Sequence, residues 1–161
     1  MKPIVLATDG SPSASEATKQ AVELARILET RLVAVAVEHV AFPSYGYYGY
    51  AEIVTELTKI EKAHVEETLA QAQAIAAEAG VPCEVLHGTG QVSDVVCTAA
   101  RMHDAQMIVI GAHGWGSIGR LCHGSVSMSV VHEAPCPVLV VRGGPEVGLD
   151  PEPVRAVEVA R

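Results

Sequence analysis

Met107-Ile108-Val109-Ile110-Gly111-Ala112-His113-Gly114 leads, after nine intervening residues, into Gly124-Ser125 and a helix-compatible segment from Ser125 to His132. The four leading apolar residues suit a buried strand. The glycines let backbone N–H groups approach an anion closely, and a helix start adds unpaired donors and the positive end of a dipole. Strand, glycine-rich loop and helix start are together the parts of a phosphate cradle. Taken alone, this region points to a phosphate-bearing ligand, a nucleotide.

Working outward, three further runs are nearly continuous in apolar residues: Ile4–Ala7, Leu32–Val37 and Val138–Val141. Short apolar runs without alternation are strands covered on both faces, as in a parallel sheet. Pro3 and Pro137 stand at strand starts, where a missing N–H does little harm. A fifth, weaker strand is expected over Cys83–Leu86, after the break at Gly80-Val81-Pro82.

Helical segments alternate with these strands. Ser11-Pro12 reads as an N-cap followed by proline in the first turn, with Ser13-x-x-Glu16 as an alternative capping box. Ala17, Ala21, Leu24, Ala25 and Leu28 then form one apolar stripe. A second helix is expected from Ala51 to Ala79, with Ile53, Leu57, Ile60, Leu69, Ala72 and Ile75 facing inward and Gly80 ending it. A third should start near Ser93-Asp94 and carry Val96, Ala99 and Ala100. The order β-α-β-α-β-α-β-α-β predicts an open parallel α/β sheet with helices on both faces.

The chain has 161 residues, which fits one domain. Apolar residues make up 49%, which argues against disorder. The formal charge is −8, so nucleic acid and anionic membranes are repelled, whereas a local nest of amides can still bind a nucleotide. The four cysteines, Cys83, Cys97, Cys122 and Cys136, include no C-x-x-C pair and read as reduced thiols of a cytoplasmic protein. No signal-peptide pattern opens the chain, and no apolar run nears the ~20 residues of a membrane span. His103, His113, His123 and His132 lack the paired spacing of zinc sites, so no protein-held metal is expected.

Gly111-x-x-Gly114-x9-Gly124-Ser125, followed by Ala134-Pro135-Cys136-Pro137-Val138-Leu139-Val140-Val141, resembles the universal stress protein family. The opening Ile4-Val5-Leu6-Ala7-Thr8-Asp9-Gly10-Ser11 is similar to that family's first strand and turn. The resemblance spans about residues 2 to 142. It implies a nucleotide-binding domain over 1–142 with a five-stranded parallel sheet ordered 3-2-1-4-5, the adenine nucleotide alpha hydrolase-like fold; the tail over 143–161, with three prolines and scattered charge, reads as loosely packed. In that order the first and fourth strands are neighbours whose connections leave in opposite directions, and a crevice opens at their carboxyl ends.

Family members with the complete glycine pattern resemble one another as ATP binders. Carried onto this chain, the resemblance implies that Gly111, Gly114, Gly124 and Ser125 hold phosphates and ribose. Asp9, as a buried carboxylate, would accept from ribose hydroxyls. Ala7 and Thr8 would line the site through backbone, and Val37 would contact adenine through its amide and carbonyl. Arg120 would pair with phosphate, and His113, between two motif glycines, would lie near it. The ligand would be ATP, or ADP or AMP, with any Mg²⁺ held mainly by phosphate oxygens. Two departures stand out: Trp115 follows Gly114 where the family often has a basic residue, and Cys122-His123 takes a usually apolar place.

In this order Val138–Val141 is an apolar edge strand, which predicts a homodimer in which it pairs with its twofold mate. The segment Ala41–Tyr50, AFPSYGYYGY, holds the single phenylalanine and all four tyrosines, and reads either as a lid or subunit contact, or as a self-packed surface insertion. Gly114-x-Gly116-x-x-Gly119 also spells a dinucleotide pattern, but it follows the fourth strand, and the next strand ends in Arg142 with no acidic residue at its tip. No committed catalytic set appears. The leading expectation is a nucleotide-binding regulator of stress response. The alternatives are a slow nucleotide hydrolase using Asp9 or His113, and a ligand-free dimeric adaptor.

Overall fold

The computed structural model describes residues 1–38, 51–112 and 125–143, with side chains from 54 onward in the second of these stretches. The elements alternate as β1 (Ile4–Ala7), α1 (Pro12–Ile27), β2 (Leu32–Glu38), α2 (Ala51–Glu78), β3 (Cys83–Thr89), α3 (Val92–Met102), β4 (Met107–Gly111), α4 (Ser125–Glu133) and β5 (Val138–Val141). The strands form one sheet in the order β3-β2-β1-β4-β5, every neighbouring pair parallel. This is the architecture that the alternation and the resemblance led us to expect.

Successive side chains of a strand point to opposite faces, so each apolar run feeds two cores. On one face Ile4, Leu6, Leu32, Ala34 and Val109 pack with Ala17, Ala21 and Ala25 of α1 and Val65, Leu69, Ala72 and Ala76 of α2. On the other, Val5, Ala7, Val33, Val35, Ile108 and Ile110 pack with Val96, Cys97, Ala99 and Ala100 of α3 and Val130 of α4. The alanines of α1 and α3 let those helices lie close on the sheet.

Two strands run further than their apolar residues. β2 includes Glu38, and β3 continues through His87-Gly88-Thr89. Pairing across the two strands carries this extension, with Ala36 beside His87, Val37 beside Gly88 and Glu38 beside Thr89. The His87 ring and the buried Glu38 carboxylate are hydrogen-bonded at 3.1 Å. Backbone pairing leaves no hydropathy signal, which is why the apolar run alone gave too short a strand.

The inward stripe expected along α2 holds only in its later half. Leu69 and Ala72 are buried and Ile75 packs against the core, but Leu57 is 52% and Ile60 59% exposed. Length explains this. At 28 residues α2 spans about 42 Å, whereas the seven residues of β2 span about 23 Å. The first turns of α2 therefore overhang the carboxyl end of the sheet, with no strand beneath Leu57 and Ile60. Ile53 belongs to the part of α2 whose side chains are not described. Leu28, also expected inward, is 41% exposed at the end of α1.

At the amino end of the sheet, α1, α2 and α3 finish in the same reverse turn. A residue with positive φ follows each helix: Glu29 (φ 50), Gly80 (φ 72) and Asp104 (φ 47). In each case the next N–H reaches back six residues' span, as Thr30 to Ala25, Val81 to Ala76 and Ala105 to Ala100, at 2.8–2.9 Å. The chain then enters its next strand within a few residues. Lys2 stitches this pole together: its carbonyl accepts from Thr30 Oγ1 at 2.8 Å and Gln106 Nε2 at 2.7 Å, and its ammonium pairs with Asp104 at 2.8 Å. α3 begins one residue earlier than expected, at Val92, with Gln91 as N-cap; the Ser93 hydroxyl accepts from the Gln91 amide instead of capping the helix.

Glu29 holds a left-handed conformation that costs an L side chain energy and glycine little. Glu29→Gly is therefore expected to stabilise the fold by about 0.5–1 kcal/mol, read as a higher midpoint in chemical denaturation at unchanged slope.

Candidate functional site

The carboxyl ends of β1 and β4 sit side by side at the point where the strand order reverses, with Ala7 registered against Ile110 on one side and Val35 on the other. β1 leaves the sheet through Thr8, whose N–H donates to the Val35 carbonyl at 3.0 Å. Then the chain turns sharply. The Gly10 N–H donates to Thr8 Oγ1 at 3.4 Å, and the Ser11 N–H donates to Asp9 Oδ1 at 3.0 Å. Ser11 caps α1, its Oγ accepting the Ala14 N–H at 3.2 Å, and Pro12 takes the first helical position. The alternative capping box is not used, because Ser13 lies inside α1, buried.

Gly10 has φ +74, and a Cβ there would stand 2.9 Å from Thr68 Oγ1 of α2. Both facts demand glycine: the turn needs a left-handed residue, and α2 lies where a side chain would go. The His64 ring of α2 closes the same contact, its Nε2 lying 3.2 Å from the Asp9 carbonyl.

Asp9 itself is exposed, just past the carboxyl end of β1. This corrects the expectation of a buried carboxylate. The strand ends at Ala7, and two residues later the turn has already carried the side chain past the rim of the sheet.

On the β4 side, Gly111 is the last strand residue, paired with Val141. A Cβ at Gly111 would stand 2.8 Å from Ser13 Oγ and 2.9 Å from both Ala14 N and Ser13 C. The glycine thus lets the first turn of α1 press against β4, whatever else it does. Gly143 admits the same turn, since a Cβ there would stand 2.6 Å from Ser13 Cα. The tail expected to be loose from Gly143 onward is thus tightly packed at its first residue. The Val141 carbonyl accepts from Ala112 N at 2.7 Å and from Ser13 Oγ at 3.4 Å, and Ser127 Oγ of α4 donates to the Ala112 carbonyl at 3.4 Å. Ala112, the first residue after β4, is in this way tied to β5 and α4, and β5 in turn to α1.

Of the residues singled out in the sequence, Ala7, Thr8, Asp9 and Gly111 meet at this edge. Val37 lies beside them on the protruding end of β2, two residues beyond Val35. Ser125 opens α4 and is exposed. His113, Gly114, Arg120 and Gly124 lie outside the described residues, as do Trp115, Cys122, His123 and the aromatic segment from 41 to 50. Sequence reading missed His64 and the Glu38–His87 pair. The pair had one visible signal, an acidic residue closing an apolar strand. His64 had none, since only the packing of α2 over the turn brings it to Asp9. Burial pushes the thiols of Cys83, Cys97 and Cys136 up, which disfavours the thiolate a nucleophile needs.

The sequence profile of the universal stress protein family matches residues 1–142. A universal stress protein of Thermus aquaticus is 38% identical over 142 residues, covering 88% of this chain and 98% of that protein. The universal stress protein UspA from Lactobacillus plantarum aligns with a TM-score of 0.77 at 28% identity, over 88% of this chain and 97% of its own. A universal stress protein from Archaeoglobus fulgidus, solved in complex with dAMP, aligns with a TM-score of 0.64 at 25% identity, over 88% of this chain and 98% of its own.

Because two of the atoms facing Gly111, Ala14 N and Ser13 C, are α1 backbone and cannot swing away as Ser13 Oγ could, Gly111→Ala must push helix and strand apart. The expected loss is about 1–3 kcal/mol of stability without any ligand present, measured by denaturant unfolding.

Proposed function

The chain belongs to the universal stress protein family, and we propose that it binds an adenine nucleotide (ATP, ADP or AMP) in the crevice between the carboxyl ends of β1 and β4. Its role in this reading is that of a cytoplasmic regulator of stress response, binding the nucleotide without a committed machinery for turning it over. The observation that carries the reading is Asp9: a carboxylate held in a tight turn, exposed, at the reversal point of a parallel sheet, where open α/β sheets take their ligands. The Archaeoglobus fulgidus relative solved with an adenine nucleotide supports the same reading.

In the proposed complex the Asp9 carboxylate accepts from ribose hydroxyls, and Ala7 and Thr8 line the site through backbone. The amide and carbonyl of Val37 meet the edge of adenine. Gly111, His113, Gly114, Gly124 and Ser125 surround the phosphates, Ser125 offering a hydroxyl and a helix-start N–H. Arg120 pairs with a phosphate oxygen. Any Mg²⁺ is held mainly by the phosphates.

The test is ligand-linked stability. AMP or ATP at a hundredfold excess over Kd is expected to add about 2.7 kcal/mol, a clear rise in Tm. Asp9→Asn keeps an oxygen for the Ser11 N–H and should unfold like the parent chain, but bind AMP about tenfold more weakly. A chain whose Tm ignores saturating nucleotide would overturn the proposal and favour the adaptor alternative.

We further propose a homodimer through β5. This strand is a sheet edge; Leu139 and Val140, on its two faces, are 36% and 39% exposed, and Val126, Met128 and Val131 of α4 are exposed as well. An apolar edge of unpaired backbone groups invites a second copy. Sedimentation at micromolar concentration is expected to show a dimer, and Val140→Lys a folded monomer; a monomeric parent chain would refute the pairing.

A further inference from the structure

We propose that His64 is a positioning residue of the nucleotide site, acting through Asp9 on recognition of the ribose; this rests on the nucleotide reading above. His64 stands on α2 directly before Val65, where the helix leaves its overhang and enters the core. Its Nε2 lies 3.2 Å from the Asp9 carbonyl oxygen. A carbonyl only accepts, so this nitrogen carries the hydrogen and donates it. The same ring flanks Gly10, where a Cβ would stand 3.5 Å from His64 Cε1 and 2.9 Å from Thr68 Oγ1. His64 and Thr68 are four residues apart, on one face of the helix, and together they form a seat for the Asp9–Gly10 peptide.

That seat acts on the carboxylate. The peptide after Asp9 is held on its carbonyl side by His64, and the Asp9 side chain is held at Oδ1 by the Ser11 N–H at 3.0 Å. With the peptide plane fixed from one side and the carboxylate from the other, the direction in which Asp9 faces the crevice is set by both. Removing the imidazole donor leaves that peptide with the longer 3.4 Å bond from its Gly10 N–H to Thr8 Oγ1, and the carboxylate loses part of its preorganised direction. His64 is given no contact with the nucleotide, so the effect must appear only in interactions that Asp9 makes.

Calorimetric titration of the full chain with AMP and with 2′,3′-dideoxy-AMP tests this. The parent chain should bind AMP more tightly, because only AMP offers hydroxyls to Asp9. His64→Ala is expected to bind AMP about five- to tenfold more weakly while its affinity for the dideoxy nucleotide stays within about twofold. His64→Gln, which restores an amide donor, should recover most of the loss. In an Asp9→Asn background, His64→Ala should add nothing. His64→Phe keeps a ring against Gly10 without the donor and carries the same expectation, so it replaces His64→Ala should that variant fail to fold. Equal weakening toward both nucleotides, or no weakening toward AMP, would overturn the inference and leave the nucleotide reading standing. A parent chain that binds AMP and the dideoxy nucleotide equally would do the same. A parent chain that binds neither would overturn both.

Discussion

Strand β1 is hydrogen-bonded along both edges and covered on both faces, so its four residues have no route to solvent except along the chain. The remaining architecture follows from satisfying that enclosure. Helices α1 and α2 cover one face and α3 and α4 the other, each supplying small side chains where it meets the central strands. The chain leaves this enclosure at the carboxyl end of β1, in a turn whose backbone groups are taken up by side chains: Gly10 N–H by Thr8 Oγ1, Ser11 N–H by Asp9 Oδ1 and the Asp9 carbonyl by His64. Thr8 still pairs with β2, and Asp9 is the first side chain to reach water. Burial of one strand thereby dictates where the chain beyond it first meets water.

Much of this was legible in the chain itself. Apolar runs without alternation marked the central strands, and the break at Gly80 and the cap at Ser11 marked helix ends, because buried strands and helix termini impose composition directly. What failed to show was whatever rests on tertiary neighbours. The carboxyl extension of β3 is held by pairing with β2, and His87 finds its partner Glu38 only across that ladder. Leu57 and Ile60 continue the apolar period of α2 but lie past the end of the sheet, so periodicity placed them inside and geometry placed them outside.

The candidate site divides in the same way. Ala7, Thr8 and Asp9 were singled out through the resemblance of the opening strand and turn to the family's, and Gly111 through the glycine pattern; the fold brings these four to one edge. The reason for Gly111 came only with the fold: its missing side chain is occupied by the first turn of α1. A glycine selected for packing and a glycine selected for a phosphate look alike in sequence, and only three-dimensional distances separate them. His64 lies on a helix whose composition gives no hint that it shields the turn after β1.

The three identical helix endings at the amino pole have a further consequence. There, hydrogen bonds, left-handed turns and the Lys2 contacts join α1, α2 and α3 to the strand that follows each within a few residues. Little of that pole can be lengthened or replaced without unseating a strand. At the opposite pole the handover from strand to helix is uneven: β1 reaches α1 and β3 reaches α3 across short turns, whereas residues 39–50 separate β2 from α2 and residues 112–124 separate β4 from α4. Selection can therefore rewrite those two longer stretches at less cost to the strands, while the scaffold keeps its shape from the other end.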